Sequence, residues 1–279
     1  MLTDKIKNNA EQIQQIVKWV VYTLLLINFG FYIAEDWDRA MHALGPGSTL
    51  FQWTTEFSTS IDELGWFILL FMFELETYAL SDQAWKGWVA HAVRGVRVLC
   101  IIFIAHTVVA YTSAALEIQE TRPVENVTDL CDVAGDGTSF VRNLEYTEIT
   151  PENCSGFSSA SEFFWTSQTE VLSDEEGLLL ERYLAWVDVG EAIVWLLILL
   201  SIEIIVRLQD KGISSGRLFR AANSSKIFLY LLLFAAAAYW GWLGHWLYVW
   251  DELLWIGGFA AIEMNVAEWR EELEATEAG

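Results

Sequence analysis

The sequence predicts an all-α integral membrane protein: six transmembrane helices arranged as three hairpins, with one long acidic outer loop. Three observations carry that prediction. Apolar runs near twenty residues recur along the chain, the length a helix needs to cross a bilayer core. Hydrophobic residues make up 54% of the 279 and charged ones only 19%, the balance of a membrane protein rather than of a large soluble core. The net charge of -22 lies mostly between and beyond the apolar runs, in loops and tail.

Residues 1–17, "MLTDKIKNNAEQIQQIV", read as a cytoplasmic amphipathic segment, with Ile6, Ile13, Ile16 and Val17 on one helical face. No small-residue cleavage site follows the first apolar run, so the start is not a cleaved signal peptide. The six spans are Lys18–Ala34, Asp62–Leu80, Arg97–Ala114, Leu184–Arg207, Lys226–Trp240 and Asp251–Ala267. Residues 18–114 thus hold helices one to three, 115–183 an extracytoplasmic loop domain and 184–267 helices four to six. Residues 268–279 form an acidic cytoplasmic tail. The last two spans are joined by "GWLGHWLYVW", a tight hairpin with an aromatic interfacial tip.

Orientation follows from Lys and Arg. With the N-terminus inside, the inner segments hold most of them, including Lys5, Lys86, Arg97, Arg207, Lys211 and Lys226. The outer segments hold only Arg39, Arg122, Arg142 and Arg182. The positive-inside rule therefore places both termini in the cytoplasm of a plasma or inner membrane. The long loop then faces an oxidising compartment, where Cys131 and Cys154 can form a disulfide. Cys100, inside an apolar run, is expected to be a buried small hydrophobe. Turn chemistry at "AGDGTS" and "TPENCSG" breaks the loop up, and "SASEFFWTSQTEVLSDEEGLLLERY" predicts one or two short helices on the membrane surface.

The even-numbered spans share a pattern: an acid, Trp four residues on, and Glu eight beyond that. It occurs as Asp62, Trp66, Glu74; as Glu191, Trp195, Glu203; and as Asp251, Trp255, Glu263. A parallel three-fold hairpin repeat would produce it. If Asp62, Glu191 and Asp251 mark the outer edge, with Glu63 and Glu252 beside them, these five form an outer acidic mouth. The second Glu of each copy then lies about 18 Å further in, just past the midplane.

A glutamate at that depth is costly and needs a cation, a proton or water. In the functional reading Glu74, Glu203 and Glu263 line a cation or proton path, fed by the acidic outer face, and mid-span His106 relays protons. The structural reading has each Glu pair locally, as Glu203 would with Arg207 at i+4. His106 likewise is more commonly a packing residue than a ligand.

The remaining classes are excluded on composition and motif. Nucleic acid needs basic partners that this chain lacks. No nucleotide-binding loop, zincin or hydrolase motif occurs, so an enzyme is not expected. No second mid-span His is present for haem, and no His or CxxC accompanies the loop cysteines, so neither cofactor nor metal is expected. "LLSIEIIVRLQDKG" resembles the second helix of voltage-sensor domains, which carries an acid followed by Arg. The resemblance covers that helix alone; the serial arginines and the TVGYG-type filter are absent, so no function is carried over. The expected function is transport or conduction of a small cation or H+, with the lipid bilayer and a homo-oligomer or membrane complex as partners. The alternative is a non-catalytic subunit of a larger membrane assembly, binding through its outer loop and Trp-rich helices.

Overall fold

A computed structural model of the chain describes residues 2–75, 87–166, 171–210, 213 and 215–259. It is mostly helical. Helices α1 (Leu2–Ala43), α2 (Leu50–Glu56), α3 (Ser58–Glu74) and α4 (Trp88–Glu117) precede four short strands. These are β1 (Ser139–Arg142), β2 (Glu145–Glu148), β3 (Phe163–Trp165) and β4 (Val171–Asp174). Helices α5 (Glu175–Asp210) and α6 (Arg217–Leu243) follow, then a helical stretch over 246–259. Three segments are long and apolar enough to cross a membrane: Gln15–Ala43, His91–Glu120 and Arg217–Leu243. α1 is continuous, so no break separates the amphipathic N-terminal residues from the apolar run that follows.

The chain divides into two compact units, one of residues 1–30 and 200–279, the other of residues 31–199. In the second, α3 packs along α4 through Trp66, Leu69, Leu70, Cys100 and Ile104, all buried. Gly65 permits this approach: a Cβ there would lie 3.3 Å from the Phe103 Cβ and 3.4 Å from the Cys100 carbonyl oxygen. A residue without a side chain lets two helix backbones approach this closely. α2 begins with a capping box, in which Thr49 Oγ1 accepts from the Gln52 amide and the Gln52 side chain accepts from the Thr49 N–H.

The segment between α4 and α5 departs from an all-α fold. It contains a four-stranded sheet of order β2-β1-β4-β3. β1 pairs antiparallel with β2 and parallel with β4, and β3 pairs antiparallel with β4. The stretch expected to form short surface helices supplies β3, β4 and the first turns of α5. The physical reason lies in the spacing of the whole loop's apolar residues. Leu130, Phe140, Ile149, Phe163 and Leu172 are too scattered between turns to make a helical stripe, yet they converge in one buried core. The Cys131–Cys154 disulfide joins that core's edge.

In the first unit, α6 ends at Gly244, whose φ of 93° sits in the left-handed region that glycine tolerates. The chain reverses there. Trp240, 1% exposed, packs edge-on against His245 and Tyr248, while Trp242 and Trp246 remain exposed. Asn28, fully buried in α1, donates from Nδ2 to an Asp251 carboxylate oxygen.

Candidate functional site

A cavity of about 360 Å³ opens within the second unit, lined by parts of α1, α2, α4, α5 and the sheet. Its charged groups are Arg39, Glu56, Glu117, Glu181 and Asp188, with the phenols of Tyr111 and Tyr146 beside them. One cation therefore faces four carboxylates.

The cation is already paired. Arg39 Nη2 donates to Asp36 and to the Glu56 carbonyl oxygen, and its Nε lies 3.3 Å from Glu56 Oε2. Asp36, 1% exposed, also accepts from the Ser60 amide at 2.9 Å and from the Ser60 hydroxyl at 2.7 Å. A buried carboxylate with three donors is adequately satisfied. The Arg39 guanidinium thus ties α1 to α2, and the Asp36 carboxylate ties α1 to α3. Burial raises the Glu56 carboxyl above its ordinary range, with Arg39 acting against that rise.

Glu181 belongs to the first part of α5 and is 4% exposed. Burial pushes its carboxyl up to about 7, against hydrogen bonds from the Leu144 and Asn143 amides; the Leu144 N–H donates at 3.1 Å. Those amides form the two-residue turn between β1 and β2, with φ of 57° at Asn143 and 59° at Leu144. Positive φ at both positions is the hairpin geometry that matches strand twist. Asn accepts it readily, whereas Leu does so only under strain. A strained residue is therefore held at the cavity wall by a buried acid. Burial and the Glu181 charge likewise raise the Tyr146 phenol.

The sheet is fastened to the helices at two further points. His42 Nδ1 lies 2.8 Å from Ser139 Oγ, and its ring stacks on Tyr146. Asp174 opens α5 by accepting the Gly177 N–H at 2.8 Å, and also accepts from Arg142 and Ser158. Burial opposes ionisation there, but the Ser158, Gly177 and Arg142 contacts outweigh it and hold the carboxyl below its ordinary range.

No family model, curated protein or solved structure matches this chain. Its site is therefore read from its own residues alone.

The residues expected from sequence fall as follows. Glu203, 56% exposed at its side chain, pairs with Arg207 one turn on, the local partner that the spacing predicts. Glu263 lies outside the described residues, and so does the side chain of Glu74, the last residue of α3. His106 Nε2 lies 3.4 Å from the Thr54 carbonyl oxygen, and its ring meets Phe51 edge-on. Glu63 and Glu252 are buried, and Asp62, Glu191 and Asp251 are partly buried. Trp66 Nε1 donates to Asp62 at 3.1 Å, which gives the acid–Trp spacing a local cause. Trp66 and Trp195, equivalent positions of the repeat pattern, touch edge-to-face at 5.6 Å.

Asp36, Glu56, Glu181 and Asp188 were not singled out by sequence. Asp188 sits three residues before Glu191, inside a predicted span, and an acid there is itself a signal. The Trp pattern drew attention to its neighbour.

Proposed function

We propose that this chain is a six-span membrane protein, both termini cytoplasmic, that moves a small cation or H+ and receives it in the acid-lined cavity. The observation that carries this reading is the cavity's acidic lining, Glu56, Glu117, Glu181 and Asp188 with one arginine that is already paired with Asp36 and with Glu56 itself. A cleft lined by one sign of charge concentrates the opposite ion. Acids within membrane segments are costly and are retained where ions or protons pass. Glu74, Glu203, Glu263 and His106 remain the pathway residues of this proposal, and Asp62, Glu63, Glu191, Asp251 and Glu252 its outer acids.

The full chain would be reconstituted in liposomes, with proton and alkali-cation flux followed by internal dyes. Flux in wild type that drops in Asp188→Asn and in Glu203→Gln is the expected result. Absence of flux in wild type, or flux undiminished in Asp188→Asn and in the Gln variants of Glu74, Glu203 and Glu263, sinks the proposal.

The accessory-subunit reading has one observation in its favour. The Glu203–Arg207 pair lies on a predicted span with side chains 56% and 73% exposed. A charged pair there needs cover from lipid headgroups, a second copy or another membrane protein. Stoichiometric co-purification of another chain from native membranes would favour it.

A further inference from the structure

We infer that the cavity in the second unit is a binding site for a small organic monocation, an alkyl- or arylalkylammonium, with Asp188 as its counter-charge. This rests on the cation reading above and narrows it to a ligand class.

Size is the first ground. About 360 Å³ falls within the range of small-molecule sites and far exceeds what one dehydrated metal ion fills. The second ground is the donor set. Among the described residues no group of three His, Cys, Asp or Glu side chains could hold a metal ion. The cavity carboxylates are spread over α2, α4 and α5, too dispersed to form the oxygen cage of a hard cation.

The third ground is a vacancy in the bonding. Asp188 is half-buried and borders the cavity, and none of the described residues hydrogen-bonds to it. A half-buried carboxylate at a cavity wall favours a cationic donor. Arg39 acts on it only through space, since its fork is taken by Asp36 and Glu56. Thr55 also lines the cavity, and its buried hydroxyl finds no hydrogen-bond partner among the described residues. An ammonium supplies three donors and no acceptor, which suits a carboxylate.

The apolar part of the wall sets the rest of the ligand. Phe51, Tyr111 and Tyr146 border the cavity with Val141, Leu144 and Ala185. Aromatic faces attract ammonium groups, and apolar walls take an alkyl or aryl body. Glu117, more exposed than Asp188, adds long-range attraction for a cation.

The test is calorimetric titration of the full chain in nanodiscs with phenethylammonium, butylammonium, the uncharged phenethyl alcohol, Na+ and Ca2+. Saturable heats for the ammonium probes alone are expected, with neither metal ion competing. Asp188→Asn should weaken them by about tenfold or more, and Tyr111→Phe, which keeps the ring, by much less. Equal competition by Na+ or Ca2+, binding of the alcohol as tight as that of the amine, or no saturable ammonium heat overturns the inference. If Asp188→Asn does not fold, a wild-type melting shift with phenethylammonium and none with the alcohol decides in its place. Flux of protons or alkali cations without ammonium binding removes this inference and leaves the proposed function. Ammonium binding without any flux does the reverse.

Discussion

Two arginine–carboxylate groupings in this protein use the same chemistry to different ends. In the unit of residues 31–199, Arg39 is 23% exposed at its side chain and Asp36 1%, with Ser60 and the Glu56 carbonyl completing the set. In the other unit, Arg207 and Glu203 are 73% and 56% exposed and bond as one pair along a single helix. The first joins three helices; the second joins two turns of one. Burial raises the stakes of a charge because an unsatisfied partner cannot turn to water. Exposure lowers them, as solvent and side-chain entropy absorb most of the gain.

The comparison is broken most directly at Arg39. Arg39→Met should leave Asp36 without its cation, at a cost of about 3–5 kcal/mol, read from chemical denaturation in detergent. A loss below about 1 kcal/mol would make the clamp equivalent to a surface pair.

Glu181 tests the same contrast through pH. Its folded carboxyl holds a proton up to about 7 against an ordinary 4.5. Stability should therefore fall as pH rises from 4.5 through about 7, by on the order of 3 kcal/mol. Asp174 runs the opposite way: its depressed carboxyl adds stability that is lost on acidification. Glu181→Gln should remove the fall near neutrality and leave the acid limb intact, as melting temperatures across pH would show.

Smaller still is the expected effect of Gly177→Ala. A Cβ there meets Ser173 Oγ at 2.3 Å and Asp174 Oδ1 at 3.1 Å, and Ser173 Oγ is held by its bond to the Val141 carbonyl. Overpacking of this kind costs about 1–3 kcal/mol. Least of all should be Arg207→Gln, below about 1 kcal/mol for an exposed pair. A much larger loss in bilayers than in detergent would mean that the pair is covered by a partner helix.

The difference between the two groupings also explains what the sequence revealed. Glu203 and Arg207, like Asp62 and Trp66, lie four apart on one helix, so spacing alone names them as partners. The three long apolar helices were legible for the same reason, since each is written in a contiguous run. The disulfide followed from two cysteines sharing one loop. The sheet did not, because strands of three or four residues carry too little periodicity to separate from loop. Nor did the cavity. Arg39, Glu56, Glu117, Glu181 and Asp188 come from four helices, and only the tertiary fold gathers them.

Asp174 carries one last consequence. It is the final residue of β4, it caps α5 through Gly177, and it holds Arg142 of β1. The origin of α5 is therefore pinned to the sheet, and the positions that follow on that helix within the same unit are phased from it. Glu181 and Asp188 follow at about 10 and 21 Å along the axis. Inserting one residue after Gly177 would carry both acids about 100° around the helix, away from the wall they now share. A small folded domain thus sets the angular phase of the first turns of a long helix, and the loop that precedes α5 serves as its datum.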